Sequence, residues 1–209
     1  MLYEIIDEEG IVNSFPLLAR PKPIIKKREF RMGDKAPCFA FESANMLWNQ
    51  DIRPTNATHI LSCELLHRPL VVAFYNEGWG KYAVKILPKL KKLHEDTQKT
   101  GGTLLVLTQQ PVDQLKALAK QKEISFTIGY DPENTVAKNF GAYDPLYPVW
   151  DRVAGISEDV VTPGIFVINR NETFAYAKLD KNFEMEWNEA ILAVALSILS
   201  IKKEATRYA

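Results

Sequence analysis

Three short runs of uninterrupted apolar residues constrain this chain most: Pro69–Tyr75, Thr103–Leu107 and Gly164–Ile168. A strand that shows one face to water alternates apolar and polar residues, so a continuous run predicts a strand covered on both faces. Between the first two runs, Lys81–His94 carries Tyr82, Ile86, Leu90 and Leu93 at helical spacing, and Val112–Lys122 predicts a second helix. After the third run, an Asn169-Arg170-Asn171 turn leads to Thr173–Leu179, which reads as an antiparallel partner strand, and Glu184–Lys202 reads as a closing helix. The expected fold class is therefore α/β, a mixed central sheet flanked by helices on both faces.

The organisation predicted is an N-terminal arm, residues 1–35, followed by one domain, residues 36–205. The arm runs acidic (Glu4, Asp7, Glu8, Glu9) and then basic, and Pro16, Pro21 and Pro23 are expected to keep it irregular. Lys and Arg total 26, as do Asp and Glu, so no bulk field recruits nucleic acid. The acidic start is unlike a secretory signal, and the longest apolar run, Ala190–Ile201, falls short of the roughly 20 residues that span a bilayer. A cytoplasmic protein with no membrane and no nucleic-acid partner is expected. The two cysteines, Cys38 and Cys63, are distant in sequence and form no CxxC motif, which predicts no disulfide framework and no four-cysteine metal site.

Several segments, in order, resemble the peroxiredoxin-like (alkyl hydroperoxide reductase/thiol-specific antioxidant) branch of the thioredoxin-fold superfamily. They are Met32–Phe39, Leu61–Trp79, Leu105–Gln110, Phe126–Asp131, Val136–Gly141 and Thr162–Asn171, and the resemblance extends over about residues 32–202. It implies a thioredoxin-like fold and a thiol-dependent peroxidase or oxidoreductase activity. It also implies a cis proline at Pro163, facing the helix that carries the reactive cysteine.

That cysteine belongs at a helix N-terminus, where unpaired N–H groups and the helix dipole lower the thiol pKa from about 8.5 into a range of roughly 3.5–7.5. Here the segment reads Gly78-Trp79-Gly80-Lys81-Tyr82-Ala83. In a Cys-x-x-Cys alignment the two sulfurs fall on Gly80 and Ala83; in a Pro-x-x-x-Thr-x-x-Cys alignment the reactive one again falls on Ala83. Neither glycine nor alanine carries a nucleophile. The segment is open to two readings. In one it survives as a strand-to-helix connection packed by Trp79 and Tyr82. In the other, a vestigial cleft at Trp79, Gly80, Lys81, Tyr82, Thr162 and Pro163 takes a small anion or a protein partner.

Cys38 and Cys63 are the candidate residual thiols and are expected to be buried or inert. His59, Cys63 and His67 share an i, i+4, i+8 spacing that Arg68-Pro69 interrupts, and no metal or other cofactor is expected. His94 is expected to face solvent, and Lys81, Lys85, Lys89 and Lys92 form a basic stripe on the first helix. The last helix has two apolar faces, one through Ile191, Val194, Ile198 and Ile201 and one through Leu192, Leu196 and Leu199, which predicts a homodimer. The function expected is a redox-silent binding or assembly module; the alternative is a thiol peroxidase working through Cys38 or Cys63.

Overall fold

The computed structural model describes residues 2–6, 12–16, 29–47, 58–184 and 192–193. In chain order the strands are β1 (Leu2–Ile6), β2 (Val12–Pro16), β3 (Ala40–Glu42), β4 (Met46–Leu47), β5 (His59–Leu61), β6 (Leu70–Phe74), β7 (Thr103–Thr108), β8 (Thr127–Tyr130), β9 (Gly164–Ile168) and β10 (Phe174–Leu179). The α-helices are α1 (Ser62–Leu65), α2 (Lys81–Lys99), α3 (Val112–Gln121) and α4 (Thr135–Asn139).

Six strands form the central sheet in the order β10-β9-β6-β7-β8-β4. β6, β7 and β8 run parallel, while β9, β10 and β4 are antiparallel to their neighbours. Every residue of β6, β7 and β9 is buried, as their unbroken apolar sequences require of strands covered on both faces. The right-handed crossover rule puts α2 and α3 on the same face, since β6-α2-β7 and β7-α3-β8 step across the sheet in one direction. Phe74, Phe140, Phe166 and Phe174 form an edge-to-face aromatic cluster in the core, with Phe140 and Phe166 4.9 Å apart between ring centroids. No helix among the described residues is long and apolar enough to cross a membrane.

Several expectations change. The arm is not wholly irregular, because β1 and β2 pair as an antiparallel hairpin with Pro16 as its last residue, a position where the missing N–H is tolerated. The end of the arm lies on its own domain: Gly33 N–H donates to the Phe174 carbonyl at 2.8 Å, and Phe30 stacks against Phe174 at 4.9 Å. α2 runs on past His94 to Lys99, with Thr97 buried and its hydroxyl donating to the Leu93 carbonyl at 2.6 Å. His94 does not face solvent; it is buried against the Phe126 ring, at 6.1 Å, because its position falls on the same stripe as Leu90 and Leu93. The closing helix is described only at Leu192–Ala193, which are helical with Leu192 buried. The two faces predicted for a dimer lie otherwise outside the described residues.

The expected cis proline is also corrected. Among the described residues every peptide bond is trans, that of Thr162-Pro163 included. Trans is the intrinsically favoured isomer by about 0.5–1 kcal/mol. The neighbouring contacts form with it in place: Thr162 N–H donates to the Ala142 carbonyl at 2.6 Å, and the Pro163 carbonyl accepts from Asp180 N–H at 2.8 Å.

Candidate functional site

At the C-terminal end of β6 the chain must leave the sheet and turn into α2, and side-chain amides build that turn. Asn76 Oδ1 accepts from Gly78 N–H at 2.7 Å, capping a 3-10 turn over Glu77–Trp79. The Asn76 amide donates to Gln109 Oε1 at 2.7 Å, and the same oxygen accepts from Val161 N–H at 2.9 Å. Gln110 donates to Glu77 Oε2 at 2.6 Å. Segments following β6 and β7 and preceding β9 are thereby tied together at the carboxyl ends of the parallel strands, the edge where open α/β sheets bind ligands.

Gly80 then joins the 3-10 turn to α2 with φ +56° and ψ −121°, a conformation that residues with a Cβ rarely adopt. Gly80 carries no side chain, and no side-chain hydrogen bond caps α2 there. Trp79, 3% exposed, packs its indole edge-on to Tyr75, Tyr82 and Phe183, and its Nε1–H donates to the Val161 carbonyl at 2.8 Å. The Tyr82 hydroxyl donates to Asp180 Oδ2 at 2.6 Å. Arg152 donates to Thr162 Oγ1 at 2.7 Å and to the Lys181 carbonyl.

Burial, and secondarily the Glu77 carboxylate, pushes the Tyr75 phenol up to about 12. Burial and then the hydrogen bond to Asp180 push Tyr82 far above the ordinary tyrosine range. Both phenols are neutral at physiological pH. Burial pulls the Arg152 guanidinium below its usual value, against the opposing charge of Asp180.

The predicted site residues separate into two groups. Trp79, Tyr82, Thr162 and Pro163 are buried in packing, and Lys81 is exposed beside them. Gly80 and Ala83 open instead into a cavity of about 370 Å³ whose wall also includes Tyr75, Leu87, Lys91 and Lys122. Sequence reasoning missed this wall, although Ala83, Leu87 and Lys91 stand at i, i+4, i+8 on α2, one stripe over from the residues that face the sheet. Among the described residues no Cys, Ser, Thr or His lines the cavity. It offers an apolar surface with two ammonium groups and the Glu77 carboxylate.

The two thiols lie elsewhere. Both are exposed, correcting the expectation of burial: Cys38 precedes β3 on the outward side of the buried Phe39, and Cys63 lies in the first turn of α1, away from the buried Ser62 and Leu65. The structure brings these distant residues to one place: both line a small cavity with Leu70 at the N-terminal end of β6, and Cys38 Sγ accepts from the Ser62 hydroxyl at 3.6 Å. The helical spacing proposed for His59, Cys63 and His67 is not realised. His59 lies in β5, with Nε2 4.0 Å from Glu42 Oε1, Cys63 lies in α1, and His67 follows it in a turn. Among the described residues no group of three His, Cys, Asp or Glu side chains is placed to hold a metal ion.

Comparison with known proteins agrees with this architecture. The sequence model of the AhpC/TSA family matches residues 32–177. No curated protein matches. Among solved structures, peroxidoxin BcpB from Mycobacterium tuberculosis superposes with a TM-score of 0.56 at 17% identity, over 83% of this chain and 98% of that one. The mitochondrial 2-Cys peroxiredoxin from Plasmodium falciparum gives 0.61 at 14% identity, over 84% and 98%. Mycobacterium tuberculosis AhpC gives 0.59 at 13%, over 82% and 94%. At these identities the likeness is one of fold.

Proposed function

The chain belongs to the AhpC/TSA family, as a peroxiredoxin-like protein of thioredoxin fold, and from that premise we propose that it is redox-silent at the head of α2 and serves as a binding or assembly module. The carrying observation is Gly80 at φ +56° and Ala83 on the cavity wall, at the two places where the family's sulfurs align. The thiols stand at the opposite end of β6. From Leu70 beside them to Tyr75 on the α2 cavity is five residues of extended chain, roughly 16 Å. Neither stands at the N-terminus of α2.

The ligand of the cavity is a small molecule with an apolar body and an acidic group, held by Lys91 and Lys122. A homodimer in the cytoplasm completes the proposal, the dimer supported by the two apolar faces in the sequence of residues 184–202.

Hydrogen peroxide consumption with dithiothreitol tests the reading directly, and no turnover is expected. Turnover that disappears in Cys38→Ser or Cys63→Ser overturns it in favour of a thiol peroxidase, a reading that the exposure of both thiols favours. For the cavity, an anilinonaphthalene sulfonate dye should bind at least about tenfold more weakly to Lys122→Glu, one lost charge-assisted contact; equal affinity removes the cavity from the proposal.

A further inference from the structure

The end of one short ladder brings the two thiols to one small cavity. β3 and β5 pair Ala40 with Leu61, Phe41 with Ile60 and Glu42 with His59. The pairing continues beyond the strands in the same register: Ser62 N–H donates to the Phe39 carbonyl and Ser43 N–H to the Thr58 carbonyl, each at 2.8 Å. There the ladder ends: Phe39 N–H donates to the Ser62 hydroxyl at 3.1 Å, and Cys63 follows in the first turn of α1, one residue past this contact as Cys38 is. Phe39, Phe41, Ile60 and Ser62 are buried, and both cysteines are exposed.

Hydrogen-bonded and non-hydrogen-bonded pairs alternate along an antiparallel ladder. The bonds at 39/62 and 43/58 put 40/61 and 42/59 in the non-hydrogen-bonded class, whose Cα atoms approach to about 4.5 Å. A disulfide requires a Cα separation of roughly 4.4–6.8 Å. Side chains in this class do touch here, since the Glu42 carboxylate reaches the His59 ring across the ladder. At the other end, Cys38 and Cys63 line one cavity, and Ser62 Oγ between them is bonded to Cys38 Sγ.

We propose that Cys38 and Cys63 form a reversible dithiol/disulfide site, oxidised by a small-molecule disulfide and distinct from the head of α2. One cysteine thiolate attacks the small disulfide, RSSR; its S–S bond breaks, RS⁻ leaves, and a protein–SR mixed disulfide forms. The second thiolate attacks the protein sulfur of that mixed disulfide and expels the other RS⁻. The two cysteine sulfurs lose two electrons in all, RSSR is reduced to two RSH, and the protons are those given up by the cysteines. The product pins β3 to the start of α1 beside the first residue of β6.

The test uses the full chain, oxidised glutathione as the disulfide, intact mass and thiol titration. Both thiols should disappear in a monomer lighter by two hydrogens with no glutathione attached, and dithiothreitol should restore them. Cys38→Ser and Cys63→Ser should each retain a stable glutathione adduct, having no second thiol to expel it. In denaturing urea the oxidised-to-reduced glutathione ratio needed for half-oxidation should rise on the order of a hundredfold, because the unfolded chain must close a loop of roughly 25 residues first. Two surviving thiols, two adducts on the wild type, a covalent dimer, or an equal ratio in the folded and unfolded chain each overturn the proposal. Peroxide turnover would overturn the redox-silent reading alone, so the two fail separately.

Discussion

The two ends of β6 use the same backbone for opposite purposes. At the C-terminal end, buried aromatic rings and side-chain amides lock the turn into α2: Trp79 is held by Val161, Tyr82 by Asp180 and Asn76 by Gln109. At the N-terminal end, the β3–β5 ladder leaves its outward residues in solvent, and the two thiols stand exposed just past its end. The sequence resemblance puts a reactive cysteine in the first region, where residues 78–83 hold none; the thiols of this chain stand in the second.

Substitutions can break this contrast, and the largest effect belongs to the packed end. Trp79→Ala should cost about 3–5 kcal/mol in urea unfolding, from lost burial and an unpaired Val161 carbonyl. A loss below about 1 kcal/mol would mean that the aromatic turn does not lock α2. Gly80→Ala should cost about 1–3 kcal/mol, although the added Cβ meets nothing within 4 Å, because the penalty is in the backbone. A neutral outcome would show that the turn relaxes.

Alkali attacks the same region. The unfolded chain ionises its tyrosines near 10, whereas folded Tyr75 holds its proton up to about 12 and Tyr82 beyond that. Above pH about 10 the folded state therefore binds more protons than the unfolded one. Stability should be unaffected by these groups below that pH and fall above it, by up to about 1.4 kcal/mol per pH unit for each phenol. Tyr75→Phe should flatten the decline, measured by unfolding on either side of pH 10.

The smallest effects belong to the ladder: Cys63→Ser and Glu42→Ala should each stay within about 0.5 kcal/mol of wild type. Ala83→Cys, made in a chain with Cys38→Ser and Cys63→Ser, sharpens the comparison by moving sulfur to the packed end. Its alkylation rate should titrate below the ordinary thiol value of about 8.5. An ordinary profile would detach the head of α2 from the family's thiol site.

Much of the fold was legible in the sequence. β6, β7, β9 and α2 announced themselves because uninterrupted apolar runs and a four-residue stripe are written into consecutive residues. The strands β4, β5 and β8 were not, being two to four residues long and recognisable only by their partners. His94 was misread for a related reason: a polar residue on an apolar stripe looks exposed until Phe126 arrives to cover it. In the candidate site, the replacement residues at 80 and 83 were visible, but the wall contributed by Lys122 and the network through Gln109 join segments dozens of residues apart.

By itself, then, the sequence determined the α/β class, the order of the main elements, the family resemblance and the absence of sulfur between residues 78 and 83, since each is a property of neighbouring residues. Only the tertiary structure decided that Trp79 and Tyr82 are packing residues, that Thr162-Pro163 is trans and that a cavity opens beside Ala83. It alone also brought Cys38 and Cys63 to one small cavity. The reason is physical: these outcomes depend on which strands pair and in what register, and a register is fixed by hydrogen bonds and burial between segments that the linear sequence keeps apart.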